Sequence, residues 1–92
     1  VKTIKLDEPV TVDGREVTEL QLRKPKVRDI HAARRKGKTQ EEIELHLLAD
    51  LCEVPPDAIL DLTIGDYALL QEAIADFLPA GALARMMAYA GR

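Results

Sequence analysis

Residues 3–22 hold two short runs that alternate apolar and polar, Thr3-Ile4-Lys5-Leu6 and Val17-Thr18-Glu19-Leu20-Gln21-Leu22, with Asp13-Gly14 between them. Period-2 runs flanking Asp-Gly read as one β-hairpin. A lone hairpin is marginal in water because it has nothing to bury its apolar face against. It must therefore lean on the rest of the chain or on a partner. Everything after Pro25 has helical spacing, so the fold class is α+β: an N-terminal β-hairpin followed by a small bundle of four to five α-helices.

Parity constrains the hairpin register. Ile4, Leu6, Leu20 and Leu22 are all even-numbered, and side chains alternate faces along a strand. For the four to share one face, paired positions must sum to an even number. A two-residue Asp13-Gly14 loop gives an odd sum and splits the set. A three-residue Val12-Asp13-Gly14 loop pairs Ile4 with Leu22 and Leu6 with Leu20, with Gly14 in the left-handed position of a bulged turn. The three-residue loop is the expectation. Pro9 has no amide to donate, which points to an outer edge or a bulge.

Pro25 stops the second strand. Val27 to Lys36 has helical spacing, with Val27, Ile30 and Ala33 or Arg34 on one side, and Gly37 ends it. Thr39-Gln40-Glu41-Glu42 is a capping box. It opens a helix to about Glu53 with Ile43, Leu47, Leu48 and Leu51 on the inner stripe and Glu41, Glu44 and Asp50 outside. Val54-Pro55-Pro56-Asp57 is a break, and Pro56 to Leu60 forms one short helical turn. Thr63 caps a further helix to about Leu78, with Asp66 at its third position and Tyr67, Leu70, Ile74 and Phe77 inward. Pro79-Ala80-Gly81 breaks it, and Ala82 to Tyr89 reads as a last helix.

The 92 residues make one domain, 1–92, in which 1–25 is the hairpin, 26–92 is helical, and 79–92 reads as a separable C-terminal interaction helix. The only aromatics are Tyr67, Phe77 and Tyr89, so the core must be built from Leu, Ile, Val and Ala. A chain this size buries only roughly 60–65% of its unfolded surface, and modest stability follows unless a partner or self-association adds area. No apolar run approaches the roughly 20 residues that span a bilayer. The start, Val-Lys-Thr-Ile-Lys, opens a strand rather than a signal peptide, and its missing Met reads as a processed or trimmed beginning.

Little here suits catalysis. His31, His46 and Cys52 are the only soft metal ligands, at spacings that match no zinc pattern. Six residues of helix put His46 and Cys52 on nearly opposite faces, so Cys52 reads as a small buried hydrophobe. The five glycines stand singly at turns or ends, so no loop cradles a phosphate. The expectation is a non-enzyme without cofactor or metal.

Charge is strongly segregated. Residues 23–38 carry eight basic side chains against the single Asp29, while the remainder carries five basic and fifteen acidic, for a net −3. A basic run on a helix and its lead-in suits phosphates, but no aromatic is interleaved for base stacking, and the acidic remainder repels a polyanion. Pairing with acids inside the fold or on a partner accounts for the run better. Leu83, Met86, Met87 and Tyr89 either close the core or form a strip for a partner helix.

The order of these elements resembles a known family. The hairpin with its Asp-Gly turn leads into Leu20-x-Leu22-Arg23-x-Pro25-x-x-x-Asp29 and an acidic Leu-rich helix. Then follow Pro55-Pro56-Asp57, Leu60-Asp61-Leu62, and Gly65-Asp66-Tyr67-x-x-Leu70-Gln71 leading to Phe77-Leu78. Over about residues 3–78 this is similar to the small tail assembly chaperones of contractile-tailed, Mu-like phages and prophages. The chain departs at Lys26, where the family often carries Thr or Ser, and its lead-in is unusually basic.

The resemblance implies a protein that binds the tape measure protein in the bacterial host cytoplasm, keeps it soluble while the tail tube assembles, and is absent from the mature virion. It also implies a longer frameshifted form of which this chain is the short product or the shared N-terminal part. Under this reading Leu47, Leu51, Leu70, Ile74, Leu83 and Met87 are apolar contacts or their immediate support. Arg23, Lys24, Arg28, Arg34 and Arg35 steer an acidic partner. The hairpin edge and apolar C-terminus further predict a homo-oligomer. The competing readings are a nucleic-acid-binding accessory protein using residues 23–38, and a structural tail or head completion subunit.

Overall fold

The computed structural model describes residues 1–78 together with Gly81, Ala82 and Arg85. Two antiparallel strands, β1 (Lys2–Val12) and β2 (Arg15–Leu22), are followed by four helices: α1 (Val27–Lys36), α2 (Gln40–Cys52), α3 (Pro56–Leu60) and α4 (Ile64–Asp76). The α+β class and the hairpin-then-helices order agree with the expectation. The further helix expected over residues 82–89 lies outside the described residues apart from Ala82 and Arg85.

The hairpin register corrects the expectation. Val12 pairs with Arg15 and Val10 with Val17, so the loop is the two-residue Asp13-Gly14. Both loop residues have positive φ, 52° and 78°, as a tight turn matching the strand twist requires. Beyond it the register shifts. Lys5 pairs with Glu19, Ile4 with Leu20 and Lys2 with Leu22. Between the two registers Leu6-Asp7-Glu8-Pro9 face only Thr18, forming a wide bulge. The parity demand is thus met by a bulge rather than a longer loop, and Pro9, which has no amide, sits in it. Leu20 and Leu22 are buried, and Ile4 and Leu6 pack against the same core.

That bulge is where α4 docks. Thr63 caps α4, its hydroxyl accepting from the Asp66 amide at 3.1 Å. The Asp66 carboxylate does not return to its own cap. It accepts the Asp7 amide on both oxygens at 3.0 Å and the Glu8 amide at 3.4 Å. At the other end Lys2 pairs with Asp76 at 3.1 Å and lies 5.5 Å from the Phe77 ring centre. The helix therefore runs antiparallel to β1 and is tied to it at both ends.

α2 forms the centre, burying Ile43, Leu47, Leu48 and Leu51 as its spacing predicts, and it packs against α1, α3 and β2. Ile30 and Ala33 of α1, Ile59 of α3, and Leu70, Ala73 and Ile74 of α4 complete the core. Tyr67 and Phe77 are half-buried rather than inside. Val27 is a second correction. At the first helical position it points away from the Ile30–Ala33 stripe and stays 77% exposed. Gly37 joins α1 to α2, and a Cβ there would stand 2.6 Å from the Ile43 amide nitrogen, so only glycine permits this approach.

Candidate protein-binding site

The basic lead-in is built around one buried acid. Lys26 precedes α1 and has no side-chain acceptor, so Asp29 at the third helical position reaches back to the Lys26 amide at 2.7 Å. The same carboxylate receives both arms of the Arg23 guanidinium at 2.9 Å. Arg23 holds the Asp29 carboxyl below its usual range, helped by the Lys26 amide and opposed by burial. The spacing Arg23-x-Pro25-x-x-x-Asp29 thus encodes a strap from the exit of β2 to the start of α1. Bidentate geometry needs arginine rather than lysine here. Lys36 is likewise engaged, with Asp50 at 2.9 Å.

Of the residues expected to steer a partner, Arg23 therefore belongs to this strap. Lys24, Arg28 and Arg35 are exposed, and Arg34 is half-buried. Of the expected apolar contacts, Leu47, Leu51, Leu70 and Ile74 are all core residues. They support a surface and do not form one. Leu83 and Met87 lie outside the described residues. Cys52 is buried, and burial pushes its thiol up to about 11, leaving it protonated at neutral pH. Among the described residues no cluster of three or more His, Cys, Asp or Glu could hold a metal. No helix among them is long and apolar enough to cross a membrane.

The surface that is formed is a groove between α2, α3 and α4, with a volume of about 680 Å³. Leu45, Ile59, Leu62 and Tyr67 line it, and Leu60 and Ile64 stand at its lip. Leu60 is 64% and Ile64 90% exposed. One wall carries Glu41, Glu42 and Glu44 from the first turns of α2. Glu44 is fixed across the groove, accepting from the Tyr67 hydroxyl and from the Gln71 side-chain amide. Burial first, and then this carboxylate, drive the Tyr67 phenol well above its ordinary range, so it remains a donor. Glu42 caps α2 by accepting the Lys38 and Thr39 amides, which hold its carboxyl below the usual range.

Leu45, Leu60 and Ile64 are not among the contacts expected from the sequence. A signal was present: Ile64, Tyr67 and Gln71 stand at i, i+3 and i+7, a stripe beside the core stripe of Leu70 and Ile74. A groove with three helical walls still has no signature in any one segment.

Residues 3–79 match the family model described as phage tail assembly chaperone proteins, E, or 41 or 14. No curated protein and no solved structure matches the chain at a significant level.

Proposed function

The chain belongs to the phage tail assembly chaperone family, and from that premise we propose that it binds the tape measure protein and keeps it soluble while the tail tube forms. Family membership over residues 3–79 carries this reading. The open apolar groove supports it, because a chaperone for a long helical client needs exposed apolar surface beside its own closed core. Leu47, Leu51, Leu70 and Ile74 hold the helices behind that surface, while Lys24, Arg28 and Arg35 steer acidic stretches of the client. The role is non-enzymatic. The place of action is the bacterial host cytoplasm, and the protein leaves before the virion is finished. Self-association and a longer frameshifted form belong to the same proposal.

Co-expression with the tape measure protein of the same gene cluster tests it. The expected result is a soluble tape measure protein that co-purifies with the chain. An insoluble tape measure protein and no co-purification would overturn the reading.

A further inference from the structure

Two features of the groove between α2, α3 and α4 bear on what it can hold. Its walls are three helices that present side chains, so an extended peptide finds no row of backbone partners there. A helix satisfies its own backbone and needs only apolar contact. The groove volume of about 680 Å³ lies within the range of small-molecule-sized sites and has room for several side chains at once, and exposed Leu60 and Ile64 extend its apolar floor to the rim.

The charged residues that line the groove are all acidic, with Lys38 and His46 near Glu42 at the start of the wall. Glu41, Glu42 and Glu44 stand on one wall, and among the described residues no lysine or arginine forms an ion pair with any of them. Among the described residues, Lys2, Arg23 and Lys36 pair elsewhere, with Asp76, with Asp29 and Glu53, and with Asp50. Glu44 is also held rigid by Tyr67 and Gln71, so little side-chain freedom is lost when a cation meets it.

We infer that this groove receives the apolar stripe of a single amphipathic helix whose edge beside that stripe carries Lys or Arg. The inference rests on the chaperone reading for the source of the helix, a segment of the client. Its chemistry is separable from that reading. The apolar stripe, with residues at i, i+3 or i+4, and i+7, fills the space among Leu45, Ile59, Leu62 and Tyr67. The cationic edge lies against Glu41 and Glu44. A helix with an acidic edge meets like charge on that wall and is rejected.

The test uses the full chain and two labelled peptides of about 15 residues, sharing one leucine stripe and differing only in Lys or Glu beside it. Fluorescence anisotropy should show the Lys-edged peptide binding about tenfold or more tightly than its Glu-edged twin, with the gap closing at high salt. Leu60→Asp with Ile64→Asp should abolish binding while circular dichroism stays unchanged, since both side chains are exposed. Glu41→Lys should reverse or erase the preference. Equal binding of the two peptides, no binding of the Lys-edged one, or indifference to these variants would overturn the inference. Displacement of the peptide by rising protein concentration, with a matching rise in mass by light scattering, would assign the groove to a second copy and also overturn it. The two proposals fail separately. If the Leu60→Asp, Ile64→Asp variant still captures the tape measure protein, the groove assignment falls and the chaperone stands. If the Lys-edged peptide binds but the tape measure protein is not captured, the reverse holds.

Discussion

Asp29 and Asp66 occupy the same local position, the third residue of a helix, and both are buried, at 6% and 2% exposure. They are satisfied in different ways. Asp29 takes one backbone amide of its own cap and a guanidinium six residues upstream. Among the described residues Asp66 takes no cation; it leaves its own cap to Thr63 and accepts instead from amides 59 and 58 residues away in the β1 bulge. The first is a local strap that positions α1 as the chain leaves the sheet. The second is a long-range clasp that fixes both the bulge and the seat of α4. Glu42, third in α2 and exposed, is the plain case that only caps its own helix. One residue class at one helical position thus serves three levels of organisation.

The largest effect is expected at the clasp. Asp66→Ala removes the acceptor for the Asp7 and Glu8 amides and should cost about 2–3 kcal/mol, read from the urea midpoint. Hydrogen exchange should show β1 and α4 loosening together. Loosening of α4 alone would break the view that the bulge depends on this carboxylate.

Asp29→Ala should cost less, roughly 1–2 kcal/mol, because the Arg23 side chain is 36% exposed and solvent screens the pair. Salt sharpens the contrast. Raising NaCl to about 1 M should shrink the Asp29→Asn penalty and leave that of Asp66→Asn nearly unchanged. Equal salt sensitivity would remove the distinction between cation-paired and amide-paired acids. At the exposed member of the set, Thr39→Ala should cost about 1 kcal/mol by loss of the α2 cap, without perturbing the hairpin.

The smallest effect is in pH. The folded Asp29 carboxyl lies below its ordinary value of 3.8. Its contribution is therefore complete above the unfolded value and is lost as pH falls through the lower folded one. Asp29→Asn should flatten the acid limb of the stability curve below about pH 4. An unchanged limb would show that Arg23 does not depress this group in solution.

The same contrast explains how much was legible in the sequence. Signals lying within a few residues of the structure they cause were read correctly. These include the Thr39–Glu42 cap, the end of α1 at Gly37, the Pro55-Pro56 start of α3 and the Thr63 start of α4. The need for Ile4, Leu20 and Leu22 to share a face was also visible. The device that achieves it was not, because the bulge at Leu6–Pro9 is stabilised by Asp66, which a reading of the strand alone cannot see. Val27, exposed at the start of α1, departs from its stripe for a related reason. Helical spacing names a stripe but does not say how far toward the helix end the core reaches. The basic run, expected to pair with acids inside the fold or on a partner, does so inside the fold at Arg23 and Lys36, and no short segment says which of its cations these are. The groove needed the placement of three helices before Leu45, Leu60 and Ile64 could meet.

The most direct measurement of the central claim is the fate of the tape measure protein itself. Diluted from denaturant into buffer, it should scatter light as it aggregates, and a stoichiometric amount of this chain should suppress the scattering and leave a soluble complex. Aggregation as fast and complete as with an equal amount of an unrelated acidic protein would contradict the account.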